Sequence, residues 1–126
     1  MKLLDSNILI YGADGGEPRL DAILDRTDLA IASVTRIETL GFHRLNETER
    51  AWLGAAIGRM QVLSLTETVE ERAIALRQER KMGLADAIIA ATALVHGLAL
   101  VTRNVDDFKH VAGLDLINPF AKPESE

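Results

Sequence analysis

The sequence predicts an α/β fold, a three-layer sandwich with a central, mainly parallel sheet of four to five short strands flanked by helices. Three observations carry this. Short apolar runs alternate with helical periodicities along the whole chain, the pattern of βαβ units. The runs, such as Leu29–Ala32 and Leu98–Val101, are apolar throughout, as strands covered on both faces are. The segment from Leu84 to Gly97 is a very apolar helix whose many alanines let it pack closely on a sheet.

The elements follow in order. Lys2-Leu3-Leu4 is a strand that stops at Asp5, and Ser6 and Asn7 are helix-capping types before a helical turn or two over Ile8–Tyr11. Gly12–Gly16 reads as a loop. Pro18 opens a helix whose Leu20, Ile23 and Leu24 recur at helical spacing. Leu29–Ala32 is a strand, and Ser33 is placed to cap a helix with Ile37, Leu40 and Leu45 on its apolar side. Asn46 and Glu49 form a capping box for a helix carrying Trp52, Leu53, Ala56 and Ile57. Gln61–Leu65 is a strand. Thr66 caps a helix with an acidic first turn, in which Val69, Ala73, Leu76 and Arg80 trace one face, and Gly83 is expected to end it. After the alanine-rich helix come a strand at Leu98–Val101, a polar loop or short helix at Asn104–Phe108, and a last strand at Leu114–Ile117. Residues 1–120 are expected to form one domain, with 121–126 a frayed tail.

Composition narrows the class. At 126 residues the chain has the size of one core, and 48% hydrophobic with 26% charged residues is ordinary for a globular protein. Cys is absent, which excludes a disulfide scaffold, a thiolate zinc site and a cysteine nucleophile. No secretory signal is visible and no apolar run approaches the ~20 residues of a membrane span, so a cytoplasmic protein with no membrane partner is expected. The charge of −5, from 14 Lys+Arg against 19 Asp+Glu, speaks on bulk grounds against nucleic acid. That reading depends on where the acids sit.

In an open parallel sheet, ligands bind beyond the carboxyl ends of the strands. Asp5 follows the first strand, Glu38 lies in the helix after the second, Asp86 begins the apolar helix, and Asn104, Asp106 and Asp107 follow a late strand. Each has an ordinary reading: Asp5 as a cap, Glu38 as a solvated helical acid, Asp86 as a dipole-favoured first-turn acid, Asp106-Asp107 as a polar loop. Together they converge on one edge of the sheet. Clustered carboxylates repel, and a divalent cation with hard oxygen ligands, Mg²⁺ or Mn²⁺, resolves the repulsion and can activate water for phosphodiester cleavage.

Four stretches then carry a resemblance: Leu4-Asp5-Ser6-Asn7, Ser33–Glu38, Leu84–Ala93 and Val101–Phe108. In this order and spacing the chain resembles PIN-domain proteins, and among them the VapC-type toxins of toxin–antitoxin pairs. The resemblance implies a Mg²⁺- or Mn²⁺-dependent endoribonuclease leaving a 5′-phosphate and a 3′-hydroxyl. It implies Asp5, Glu38 and Asp86 as principal acids and Asp107 as the fourth, with Asp106 the alternate. Ser6 and Thr102 match positions near the metal, and Asn104 would orient the site. Arg36 and Arg103 are candidate contacts to RNA phosphates. The implied partners are RNA, a VapB-like antitoxin and a second copy of the chain, with Trp52 a candidate interface anchor. Two rival readings remain, an inactive PIN-like binding module and a phosphoacceptor switch. The second lacks the acidic pair after strand one and the late lysine, since Ser6 and Thr102-Arg103 stand there.

Overall fold

The computed structural model describes residues 1–121. The expectation of a frayed tail falls, from residue 122 on, outside them. The elements run β1 (Lys2–Leu4), α1 (Ser6–Asp14), α2 (Pro18–Leu24), β2 (Leu29–Ala32), α3 (Ser33–Leu40), α4 (Glu47–Gly58), β3 (Gln61–Leu63), α5 (Glu67–Glu79), α6 (Leu84–His96), β4 (Ala99–Val101), a 3₁₀ turn (Val105–Asp107) and β5 (Leu116–Ile117). The five strands form one sheet in the order β3-β2-β1-β4-β5, and every ladder is parallel.

The period of two along each strand builds two cores. Leu3, Ala30, Ala32, Leu63 and Leu100 point to the face covered by α5 and α6, where they meet Val69, Leu76, Ala87 and Ile89. Leu4, Leu29, Ile31 and Val101 point to the other face, against Ile8, Leu9, Leu20, Leu53 and Ile57 of α1, α2 and α4. Most of these side chains are fully buried, and each large one contributes about 1.5–3 kcal/mol relative to exposure. The alanines of α6 (Ala87, Ala90, Ala91 and Ala93) are completely buried, so the helix axis lies close to the sheet.

Several local expectations hold. The Asn46–Glu49 capping box is complete: the Glu49 N–H donates to Asn46 Oδ1 at 2.8 Å and the Asn46 N–H to Glu49 Oε1 at 3.0 Å. Thr66 caps α5 through the Val69 N–H at 3.2 Å.

Others are corrected by packing. The first helix runs on through Gly12 to Asp14. A Cβ on Gly12 would lie 2.7 Å from the Trp52 ring, so this glycine permits close approach of α1 and α4 and does not break the helix. The turn comes instead at Gly15 and Gly16, both at positive φ. Gly83 does not end α5. That helix stops with Arg80 extended, the chain buries Met82, and Gly83 at φ −64° begins α6. Ser33 is the first residue of α3 and caps nothing; Ala32 holds the cap position. Ile37 is 70% exposed, so it is not part of the buried side of α3. The strands β3, β4 and β5 are shorter than the apolar runs that signal them, since only the hydrogen-bonded part counts. Among the described residues no helix is long and apolar enough to cross a membrane.

Candidate active site

The chain leaves β1 toward β2 on one side, and β4 returns on the other side of β1. The carboxyl ends of β1 and β4 therefore flank a topological switch point, where the flanking connections diverge and leave a crevice. Asp5 follows β1 directly and Thr102 follows β4. The Asp5 N–H donates to the Val101 carbonyl at 2.9 Å, which ties the two strand ends together.

Asp5 is 5% exposed. Its Oδ1 accepts from the Ser6 N–H at 2.8 Å, an N-cap bond to α1. Its Oδ2 accepts from Thr102 Oγ1 at 2.8 Å and from Asn7 Nδ2 at 3.1 Å. Thr102 is fully buried, and its Oγ1 in turn accepts from the Asn104 N–H at 3.0 Å. Burial pushes the Asp5 carboxyl above its usual range, against the opposing hydrogen bonds from Thr102 and Ser6, and the charges of Glu38 and Asp107 push the same way. Glu38, on α3, accepts from Ser6 Oγ at 2.6 Å. One residue pair, Asp5-Ser6, thus bonds to β4 and to α3 from the start of one helix.

Asp86 stands in the first turn of α6, half-buried. Its carboxyl is pushed up to about 6, first by burial and then by the charges of Asp5, Asp107 and Glu38. The four carboxylates therefore share one field. Among the described residues none of them has an ion-pair partner. Asp106 differs: its side chain is 85% exposed and pairs with Lys109 Nζ at 3.1 Å. It does not contribute to the shifts of Asp5 or Asp86.

The acids are arranged in two halves. Asp86, Asp106 and Asp107 line a cleft of about 180 Å³ together with Arg80, Lys81, Met82, Gly83 and His110, while Asp5 and Glu38 are held together by Ser6. Among the described residues, no three His, Asp or Glu side chains approach closely enough to enclose an ion by themselves. The donor set is carboxylate oxygen, the hard ligand type that Mg²⁺ takes through one or two carboxylates with several waters retained.

Three further residues emerge from the tertiary structure. Asn7 also holds Asp5: its amide nitrogen reaches Asp5 Oδ2 and its Oδ1 accepts from the Arg103 N–H at 3.3 Å. Asn104 is exposed and contributes only its backbone N–H. The signal for Asn7 was its place two residues after Asp5, a spacing that reads equally well as capping. Arg80 and Lys81 line the cleft with Asp86, and nothing in their local sequence marks them. Arg36 lies exposed on α3.

Comparison with known proteins identifies the family. The PIN domain family model matches residues 2–114. Ribonuclease VapC10 of Mycobacterium tuberculosis is 36% identical over 131 aligned positions, covering 98% of this chain and 96% of that protein. The tRNA(fMet)-specific endonuclease VapC of Shigella flexneri is 33% identical, covering 89% and 92%. Among solved structures, a toxin–antitoxin complex from Klebsiella pneumoniae superposes with a TM-score of 0.81 at 32% identity, over 95% of this chain and 98% of that one. FitAcB of Neisseria gonorrhoeae superposes at 0.78 and 26%, over 95% and 99%. The chain belongs to the PIN-domain family and, within it, to the VapC-type group.

Proposed function

We propose that the protein is an endoribonuclease that hydrolyses RNA phosphodiesters, the toxin of a toxin–antitoxin pair. The observation that carries this reading is the gathering of Asp5, Glu38, Asp86 and Asp107 at the switch point, none of them in an ion pair among the described residues, with Arg80 and Lys81 beside Asp86 and Asp107 in the cleft. A purely structural cluster of acids would be costly, because one or more would have to stay protonated. Mg²⁺, or Mn²⁺, fits the hard oxygen set, with Asp5 and Asp86 as the residues that would hold it and Glu38 and Asp107 reaching it through retained water. When bound, the ion supplies charge neutralisation at the phosphate and acidifies water.

The chain's own residues do the rest. Thr102, Asn7 and the Ser6 N–H fix both oxygens of Asp5, so its carboxylate does not reorient during turnover. Glu38, steadied by Ser6 Oγ, accepts the proton of the water that attacks in line. Asp86, its carboxyl pushed up to about 6 by burial and the neighbouring acids, would be held in its charged form by a bound cation. Products are a 5′-phosphate and a 3′-hydroxyl. The decisive experiment is cleavage of RNA by purified protein with Mg²⁺ or Mn²⁺, with Asp5→Asn as control; equal activity in the two chains overturns the reading.

The partners follow. A VapB-like antitoxin restrains the activity in the cell, and the protein works in the cytoplasm as one unit over residues 1–120. A second copy of the chain is also part of the reading, with the α5–α6 face as its contact. There Leu65, Ile74, Leu84 and Ile88 line an apolar cleft of about 350 Å³, with Ile74 55% and Leu84 61% exposed. Glu70, Ile74 and Arg77 form one stripe along α5 at spacings of four and three. A twofold axis through Ile74 sets Glu70 of each copy against Arg77 of the other, the self-complementarity an isologous contact requires. The ring of Trp52, the anchor suggested by the sequence, is half-buried against Gly12.

A further inference from the structure

We propose that Arg103, stacked against Tyr11 and Phe120, is a preset phosphate-binding group that holds the RNA backbone on the α1 side of the scissile bond. This rests on the ribonuclease reading above and adds to it a substrate subsite.

Arg103 directly follows Thr102, the residue that bonds Asp5, and its N–H donates to Asn7 Oδ1 at 3.3 Å. Asn7 and Tyr11 lie about one helical turn apart on α1, roughly 6 Å along the axis. The Arg103 side chain runs along that turn. Its guanidinium carbon sits 4.9 Å from the Tyr11 ring centroid and 4.5 Å from that of Phe120. The two rings are 5.2 Å apart and inclined at 59°, so they form a notch around the guanidinium. Phe120 is held in place by Arg19, whose guanidinium lies 4.8 Å from the same ring and whose Nη1 donates to the Phe120 carbonyl at 3.3 Å.

The chemistry of the notch favours an anion. Two rings inclined at 59° cannot both cover a face of one planar guanidinium, so the rings take part of its surface and the exposed remainder of its five N–H donors is what a phosphate meets. Arg19 is neutralised by Glu17 at 3.0 Å. Arg103 is exposed and has no ion-pair partner among the described residues, in a chain of net charge −5. A flexible surface arginine would lose rotamer freedom on binding; this one has already lost it to the rings. The placement also makes a path. Phe120 packs with the α1–α2–α4 core, whereas Met82, next to Arg80 and Lys81, packs with the α5–α6 core. A strand crossing the acidic edge therefore meets Arg103 on one flank and Arg80-Lys81 on the other.

The test uses the full chain, Mg²⁺ and total transfer RNA, the substrate class in the Shigella relative's name. Arg103→Gln is expected to raise KM roughly 10-fold, with kcat within about 2-fold, and to lower the salt slope of KM by about one. Arg103→Lys restores the salt slope but only part of the KM, since it keeps charge and loses the stack. Tyr11→Leu, which leaves the charge and frees the side chain, gives an intermediate KM. Arg50→Gln on exposed α4 changes neither quantity. Melting temperatures of all variants separate misfolding from lost contact, and the Lys and Leu variants keep the test valid if Gln destabilises the chain. Unchanged KM and salt slope in Arg103→Gln overturns the subsite and leaves the ribonuclease reading standing. So does weaker antitoxin binding with RNA kinetics unaltered, which makes the notch a protein contact. Absence of cleavage by the unmodified chain overturns both.

Discussion

Thr102 Oγ1 donates a 2.8 Å hydrogen bond to Asp5 Oδ2 across the switch point of the sheet, joining residues 97 positions apart. Asp5 is the most buried of the four acids, and this bond, with those from Asn7 and Ser6, makes a charged Asp5 tolerable there. Removing the hydroxyl in Thr102→Val leaves the buried carboxylate with one donor fewer. The expected outcome is a 10- to 100-fold loss of cleavage, about that of a lost outer-shell partner, and a loss of about 1–3 kcal/mol in stability. Cleavage rate and denaturant midpoint measured together check this; a rate within twofold of the parent refutes the positioning role.

Asp5→Asn keeps the shape and removes the charge. The N-cap function survives, because Asn caps as well as Asp, so the melting temperature stays near that of the parent. RNA cleavage in Mg²⁺ disappears into background. Retained cleavage would show that another group carries the chemistry.

Asp86 makes the stability of the protein pH-dependent when divalent cations are chelated. Its folded-state carboxyl lies at about 6, above the 3.8 of an ordinary aspartate. Between these values the folded chain binds more protons than the unfolded one, so stability falls as pH rises through this window. The penalty is fully present above about 6 and absent below 3.8; for a half-exposed group, solvent screening limits it to on the order of 1 kcal/mol. In EDTA, the melting temperature of the unmodified chain should exceed that of Asp86→Asn by more at pH 5 than at pH 7.5. Parallel curves for the two chains would exclude Asp86 as the source.

Adding Mn²⁺ at pH 7.5 relieves the same repulsion. At 100 times its dissociation constant a ligand stabilises by about 2.7 kcal/mol, and calorimetric melts should show a saturable rise in the unmodified chain. The rise should be much reduced in Asp86→Asn. Equal rises in both would place the cation elsewhere.

Ile74→Glu puts a charge at the centre of the apolar stripe on α5, where Ile74 is already 55% exposed and tolerates change in the monomer. The variant should run as a monomer in light scattering at concentrations where the parent is a dimer, with its melting temperature little altered at low concentration. A monomeric parent, or a dimeric variant, rejects the α5–α6 contact.

Much of the fold was readable because it is local. Asn46 and Glu49 make a capping box at short range, and the all-apolar runs at Leu29–Ala32 and Ala99–Val101 announce strands covered on both faces. The failures came where distant contacts override local preference. Gly12 looks like a helix breaker but sits in α1 beneath Trp52, forty residues away in sequence. Gly83 looks like a helix end, yet burial of Met82 shifts the break to Arg80 and makes Gly83 a beginning.

The candidate acids divide in the same way. The sequence by itself determined which residue types stand at strand ends and helix starts, and so named Asp5, Glu38 and Asp86 before any coordinates. Between Asp106 and Asp107, neighbours on one turn, spacing alone made no choice, and only the family resemblance favoured Asp107 with Asp106 as the alternate. Only the tertiary structure turned Asp106 toward Lys109 and brought Asp107 into the field of Asp5 and Asp86. It also made Asn7 an orienting group and set Arg103 between two rings from opposite ends of the chain. The physical reason is common to all of these. Periodicity and capping act over a few residues and leave a mark in the sequence. Electrostatic coupling and ring stacking act through space, between groups that the sheet order alone brings together.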